Sequence, residues 1–230
     1  MVTVRFASDH SIRVAFGEGI SPDCHREVRR FWALLSAENI GGVLSLHPAY
    51  NSLLVSFDPR VTRGPELLET LQALVRLPDR FPLPESRLVE IPVCYGNPMG
   101  PDLEQVAELA GLTAEKVVAL HSGAEYLVYF LGFSPGFPYL GGMPEEISAP
   151  RLAAPRRQVP AGSVAIGGKQ TGIYPVSSPG GWQLIGRTPR TLFFPGQRPP
   201  TLLQMGDRVR FVPISPGDYE RLKSREEAIG

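Results

Sequence analysis

The fold of this chain is decided by a stretch that reads GFSPGFPYLGG, residues 132–142, and by the turn-rich region that it opens. Half of the chain's 24 glycines and 24 prolines lie between residues 132 and 200. Few helices tolerate such a composition, because glycine costs backbone entropy and proline removes a helical hydrogen bond. The apolar runs left between the turns are short: 163–166, 172–176, 182–185, 192–194 and 208–212. Short strands separated by turns predict a compact all-β barrel or sandwich.

The first part of the chain follows a different pattern. Apolar residues alternate with period two in the predicted strands, which are 3–7, 11–17, 43–48 and 52–57. A helix with apolar residues three and four apart is predicted after each pair of strands, starting at Ser21 and at Gly64. The order ββαββα predicts an α+β arrangement with two helices on one face of an antiparallel sheet. We interpret it as a split ferredoxin-like α/β sandwich domain over residues 1–84.

Three prolines, Pro78, Pro82 and Pro84, predict a linker to a second domain over residues 85–230. Asp102 followed by Gln105 resembles a capping box, and Thr113 is placed to cap a second short helix. Further elements are predicted as strands at 87–94 and 126–131 and a charged surface helix at 220–228.

Composition excludes several classes of function. The 23 basic and 23 acidic residues cancel, so the chain has no electrostatic footprint for nucleic acid or for a membrane surface. No stretch approaches the roughly 18 uninterrupted apolar residues of a spanning helix. The N-terminus lacks the basic head and apolar stretch of a signal peptide, so we expect a cytoplasmic protein. Cys24 and Cys94 show no metal-ligand spacing, and we expect two free thiols and no metal site.

The candidate site residues fall in the turn-rich region. Phe133, Phe137 and Tyr139 cannot all be buried by so short a loop, so some of them cover the barrel or line a pocket or interface. The alternative is a rigid loop that caps the barrel.

A second cluster spans residues 155–175. The pair Gly167-Gly168 lets the backbone approach another group closely, and Lys169-Gln170-Thr171 offers a cation, an amide and a hydroxyl. Such a set suits a carboxylate or phosphate oxygen, although a polar turn between strands explains it equally well. The order of residues does not match a P-loop, so no nucleotide site is predicted.

A third cluster spans residues 177–189. Trp182 beside two glycines suits a pocket wall or a core anchor, and Arg187 suits a bidentate carboxylate contact or a surface ion pair. His121, at the end of a predicted helix, is either a general base or a residue favoured there by the helix dipole. No self-sufficient catalytic constellation is present.

Four segments together resemble the allophanate hydrolase subunit 1 (KipI-like) family: residues 132–142, VPAGSVAI at 159–166, QTGIYP at 170–175 and SPGGWQLIGRTP at 178–189. Residues 48–55 and 91–96 extend the resemblance over nearly the whole chain. The resemblance implies that the second domain is a cyclophilin-like β-barrel. It also implies a partner, allophanate hydrolase subunit 2.

The resemblance implies the B subunit of an ATP-dependent 5-oxoprolinase, which opens 5-oxo-L-proline to L-glutamate together with A and C subunits and is inactive alone. Because the chain has no nucleotide motif, we expect the ATP site to lie outside this chain alone. On this hypothesis Gln170, Thr171 and Tyr174 contact the substrate or a partner, with Arg156 and Arg187 as anion partners. Two alternatives remain open: a KipI-like inhibitor of a sensor histidine kinase, and a carboxyltransferase-type subunit acting on another urea or amide.

Overall fold

The computed structural model describes residues 2–77 and 83–228, and the chain divides into two compact units, Met1–Glu85 and Ser86–Gly230. Pro78 and Pro82 of the predicted linker lie outside the described residues. None of the helices in the described ranges has the length and apolar character of a membrane-spanning segment.

The N-terminal unit is an antiparallel sheet of four strands with two helices. Its elements are β1 (Thr3–Ser8), β2 (Ser11–Ala15), α1 (Pro22–Glu38), β3 (Val43–Pro48), β4 (Ser52–Phe57) and α2 (Gly64–Val75). The strands lie in the order β1-β2-β4-β3, and each neighbouring pair is antiparallel. The predicted element order ββαββα is therefore confirmed.

The core of this unit follows from the period-two pattern. Ile12 lies opposite Val55 and Val14 opposite Leu53, so the apolar side chains of the two central strands share one face. Both helices pack against that face, α1 through residues that include Phe31 and α2 through Leu67 and Leu71. Burial of each such side chain stabilises the unit by about 1.5–3 kcal/mol.

The C-terminal unit contains the turn-rich region. Its strands are β5 (Leu88–Tyr95), β6 (Glu125–Leu131), β7 (Pro138–Gly141), β8 (Arg156–Val159), β9 (Ser163–Gly167), β10 (Gln170–Ile173), β11 (Ser178–Gly180), β12 (Gln183–Arg187) and β13 (Arg208–Pro213). Its helices are α3 (Leu103–Ala110), α4 (Ala114–Gly123) and α5 (Pro216–Glu227).

Seven of these strands close a barrel in the order β10-β7-β6-β13-β5-β12-β9, while β8 and β11 form a separate two-stranded ribbon. All neighbouring barrel strands are antiparallel except β5 and β13. On β9, Val164 and Ile166 belong to the main core of the unit, whereas Ala165 belongs to a second, smaller cluster. The alternation gives the barrel an apolar interior and an apolar patch on its outer wall. The predicted barrel is confirmed, and the whole chain is a mixed α/β protein with five helices in its described part.

Three local predictions are wrong. Residues 192–194 form no strand; only a single bridge joins Phe193 to Thr201, because Pro195 directly after the run interrupts strand pairing. The Asp102 side chain does not cap α3, because its carboxylate bonds elsewhere in the fold. Helix α5 starts at Pro216, before the predicted start, because the Ser215 side chain accepts a hydrogen bond from the Asp218 amide.

Candidate functional site

A cleft of about 330 Å³ lies on the outer wall of the barrel in the C-terminal unit. Five aromatic side chains line it: Phe133, Phe137, Tyr139, Tyr174 and Trp182. The lining is completed by Arg151, Leu152, Pro155 and residues 179–181. We refer to this set of residues as the aromatic cleft.

Phe137 is the centre of the aromatic cleft. Its ring meets Tyr139, Tyr174 and Trp182 edge to face, at centroid distances of 5.2, 5.3 and 5.7 Å. Edge-to-face pairs of this kind add about 0.5–1.5 kcal/mol each beyond simple burial. Phe137 is only 2 % exposed, so the rings form walls that are fixed before a ligand arrives.

Two glycines allow the rings to reach these positions. A Cβ atom on Gly167 would lie 2.5 Å from the Trp182 ring, and one on Gly180 would collide with the Tyr174 hydroxyl. Any larger residue would therefore displace a wall of the cleft. The predicted close approach at Gly167 is thus present, and the approaching group is Trp182.

Phe133 differs from the other four aromatic residues. Its φ angle of +66° lies in the left-handed region, where a bulky residue is strained, and its side chain is 65 % exposed. The ring lines both the aromatic cleft and a neighbouring hollow of about 410 Å³ formed by residues 131–136 and 193 with 200–201. A strained, exposed aromatic side chain on a ridge between two hollows is a candidate contact point for a partner.

The two arginines near the cleft have different surroundings. Arg156 donates to the buried Asp102 carboxylate at 2.6 Å, and Asp102 also accepts from the Leu184 amide at 2.6 Å. Arg151 is exposed and lies over the Trp182 ring, 5.7 Å from its centroid. Within the described residues no carboxylate pairs with Arg151, so it gives the cleft its free positive charge.

Tyr174 is neutral at ordinary pH. Burial raises the pKa of its phenol, and a backbone hydrogen bond with Trp182 and the charges of Arg151 and Arg156 lower it to a smaller extent. The cleft thus combines apolar ring surfaces, a neutral hydroxyl and one cation.

His121 and Thr171 lie inside the barrel wall and do not line the cleft. Both are fully buried, and the Thr171 hydroxyl donates to the Ala165 carbonyl at 3.0 Å. Thr171 must therefore accept from Nε2–H of His121 at 2.9 Å, and His121 Nδ1 accepts from the Tyr95 hydroxyl at 2.8 Å. Burial lowers the pKa of His121 from 6.5 to about 3. The ring is neutral and both of its nitrogens are hydrogen-bonded. His121 is therefore neither a base that faces a substrate nor a cation stabilised by the helix dipole.

The remaining predicted residues lie outside the aromatic cleft. Gln170 begins β10, half-buried, beside the Gly167 end of β9. Arg187 lies at the far end of β12 from Trp182, and its Nε atom is buried without a hydrogen-bond partner. Arg151 was missed by sequence reasoning, because a single arginine after Pro150 carries no motif. No group of three His, Cys, Asp or Glu side chains in residues 2–77 and 83–228 is placed to hold a metal ion.

Comparison with known proteins places this arrangement in a family. Residues 2–203 match the family described as carboxyltransferase domain, subdomain C and D. The B subunit of 5-oxoprolinase from Bacillus subtilis (strain 168) is 43 % identical over 237 residues, which cover 96 % of this chain and 98 % of that protein. The B subunit of 5-oxoprolinase from Escherichia coli O157:H7 is 49 % identical over 195 residues, covering 82 % of this chain and 87 % of that protein.

A solved structure shares the fold over nearly the whole chain. The crystal structure of TTHA0988 superposes with a TM-score of 0.79 at 40 % identity and covers 93 % of this chain. The chain spans 40 % of that longer protein. On these matches, the chain belongs to the carboxyltransferase domain family, subdomain C and D, together with the B subunits of 5-oxoprolinases.

Proposed function

We propose that this chain is the B subunit of an ATP-dependent 5-oxoprolinase, which opens 5-oxo-L-proline to L-glutamate together with an A and a C subunit. The observation that carries the proposal is the nearly end-to-end match to the B subunit of a 5-oxoprolinase, over 98 % of its length. The letter in that name denotes one part of a larger assembly, so the partners proposed here are the A subunit and the C subunit, a protein of the allophanate hydrolase subunit 2 type.

The nine predicted site residues divide into groups in this proposal. Phe137, Tyr139, Tyr174 and Trp182 contact the substrate in the aromatic cleft, since all four line it. Arg156 is a positioning residue, because its guanidinium joins Asp102 to the Trp182 carbonyl. His121 and Thr171 hold β10 in place from within the barrel. Gln170 and Arg187 are proposed as contacts for a partner.

The residues of the aromatic cleft do not fit a nucleoside triphosphate. Triphosphate binding calls for several cations or backbone amides and for oxygen ligands that hold magnesium. Among the described residues, the cleft lining has a single free arginine and no carboxylate. We therefore place the ATP site outside this cleft, in another subunit or at a subunit interface.

The two fold names are part of the same proposal. Helix α1 connects β2 to β3, and β4 lies between these two strands in the sheet. Such a split βαβ unit is typical of ferredoxin-like sandwiches, with β1 supplying the strand that ordinarily comes last. The closed seven-stranded barrel supports a cyclophilin-like second domain.

The test is reconstitution of the enzyme from separate subunits. The chain is co-purified with A and C subunits from the same organism, and ADP and glutamate are measured with and without 5-oxo-L-proline. We expect both products only when all three proteins and the substrate are present.

Omission of each subunit in turn is the control. Full turnover without this chain would contradict the proposal. A stable three-subunit complex without turnover would contradict it too, and would favour a regulatory role such as inhibition of a sensor kinase.

A further inference from the structure

We propose that Arg151 anchors the carboxylate of the substrate, so that the aromatic cleft selects a small cyclic carboxylic acid over the same ring without the acid. The proposal rests on the proposed function, because it names the group that recognises the substrate of that reaction. It concerns a residue outside the sequence motifs.

Among the described residues, Arg151 has the one cation in the cleft that is free to bind an anion. The other nearby arginine, Arg156, is engaged by the buried Asp102, whose side chain is 8 % exposed. That ion pair is neutral as a whole. Arg151 adds one net positive charge at the mouth of the cleft, and no carboxylate of the described residues competes for it.

The position of Arg151 leaves its donors available. The guanidinium carbon lies over the Trp182 ring, 5.7 Å from its centroid, which is within the range of a cation–π contact. Among the described residues Arg151 makes no hydrogen bond or ion pair, so its N–H donors are available for a bidentate contact with a carboxylate. The cation–π contact with Trp182 reduces the side-chain freedom that anion binding would otherwise remove.

The rest of the cleft suits an uncharged ring. Edge-to-face packing around Phe137 fixes apolar walls, and the neutral Tyr174 hydroxyl adds one uncharged polar group to the lining. With a volume of about 330 Å³, the cleft admits a five-membered lactam with its carboxylate at the mouth. A phosphorylated ligand fits less well, because its multiple charge would meet a single arginine.

The experiment measures binding through the tryptophan in the cleft wall. The chain has two tryptophans, Trp32 and Trp182, and the W32F substitution leaves only the second. The full chain carrying W32F is titrated with 5-oxo-L-proline and with 2-pyrrolidinone, which is the same lactam without the carboxylate. We expect saturable quenching by the acid and binding at least about tenfold weaker for 2-pyrrolidinone.

Arg151→Gln is the test variant, and Arg157→Gln is the matched control. Arg157 is an exposed arginine that follows Arg156 on β8 and does not line the cleft. We expect R151Q to weaken binding of the acid by about ten- to a hundredfold and to leave 2-pyrrolidinone unchanged. R157Q should change neither. An equal loss of affinity for 5-oxo-L-proline in R151Q and R157Q would overturn the proposal. Equal affinity for 5-oxo-L-proline and 2-pyrrolidinone, or no saturable response to 5-oxo-L-proline, would overturn it too.

Turnover of the reconstituted complex separates this inference from the proposed function. If 5-oxo-L-proline binds in an Arg151-dependent way but is not turned over, the proposed function is contradicted and the role of Arg151 in binding the carboxylate is supported. If the complex turns over 5-oxo-L-proline with the same KM in wild type and R151Q, the proposed function is supported and the role of Arg151 in binding the carboxylate is contradicted.

Discussion

At the scale of single residues, the aromatic cleft depends on positions where only glycine fits. Gly167 lies in a strand, where glycine ordinarily costs stability, yet it allows Trp182 to pack directly on the backbone. Glycine is therefore favoured at this position, because the absence of a side chain leaves space for the Trp182 ring, which forms a wall of the cleft.

Gly167→Ala should therefore damage the cleft. The added methyl group meets the Trp182 ring at 2.5 Å, so the ring must move, and we expect a loss of about 1–3 kcal/mol in the free energy of unfolding. Urea unfolding and Trp182 fluorescence in the W32F background measure both effects.

The matched control is Gly123→Ala in α4, where a Cβ atom meets nothing within 4 Å. It should be neutral or stabilise by up to about 1 kcal/mol. Equal stability of the two alanine variants would show that Trp182 does not pack on Gly167.

Phe133→Gly tests whether the exposed Phe133 ring, which lies between the two hollows, contacts a partner. Glycine accepts a φ of +66° without strain, and the lost ring is mostly exposed, so the free energy of unfolding should stay within about 1 kcal/mol of wild type. If the ridge contacts a partner protein, the affinity for the C subunit should fall about tenfold or more.

Exposed Leu109 on α3 provides a comparison, and Leu109→Ala should leave that affinity unchanged. An F133G variant that binds the C subunit as tightly as wild type would remove Phe133 from the interface.

Asp102 shows what sequence reasoning at this scale cannot reach. Its spacing to Gln105 matches a capping box, yet its carboxylate bonds to Arg156 and to the Leu184 amide. Both partners lie far along the chain, so local spacing carried no sign of them. The Thr113 cap depends only on neighbours and was predicted, since its hydroxyl accepts from the Lys116 amide.

At the scale of elements, a buried chain of hydrogen bonds joins α4 to three strands of the barrel. It runs from Tyr95 on β5 through His121 on α4 to Thr171 on β10 and the Ala165 carbonyl on β9. Because both ring nitrogens of His121 are used in it, it is a structural connection, and its stability depends on a neutral histidine.

This dependence predicts a loss of stability in acid. The folded pKa of His121 is about 3, below the ordinary 6.5, so only the unfolded chain binds the proton in that range. The contribution is complete above pH 6.5 and is lost as the pH falls from 6.5 towards 3. Between pH 6.5 and 5 the loss should be about 2 kcal/mol.

Urea unfolding at the two pH values, followed through Trp182, measures this loss. His121→Gln cannot take up the proton, so its unfolding free energy should depend less on pH by about the same amount. An identical pH dependence in both proteins would refute the account of His121.

Secondary-structure elements could be predicted where their buried residues form a regular apolar pattern in the sequence. The strands of the N-terminal unit follow apolar alternation, its helices follow apolar residues three and four apart, and the predicted order of these elements agrees with the structure. Residues 192–194 were wrongly predicted as a strand because a short apolar run only indicates burial. Leu192 is indeed buried in the barrel core, but through irregular backbone.

At the scale of the whole molecule, each unit has its own hydrophobic core, and the aromatic cleft belongs entirely to the C-terminal unit. The sequence indicated the glycine- and aromatic-rich segments that build the cleft. It did not indicate Arg151, which a loop brings over Trp182. Loops that are distant in sequence meet only because the barrel folds, so no local spacing of residues in the sequence predicts their contact.

The most direct test of the cleft as the proposed substrate site compares the two tryptophans of the chain. Trp182 forms a wall of the cleft, whereas Trp32 packs in the N-terminal unit. Complexes are assembled with W182F or W32F, and kcat/KM for 5-oxo-L-proline is measured. We expect W182F to lower it about tenfold or more, through the lost ring contact and the lost platform for Arg151, and W32F to match wild type. Equal kcat/KM in the two variants would contradict the account.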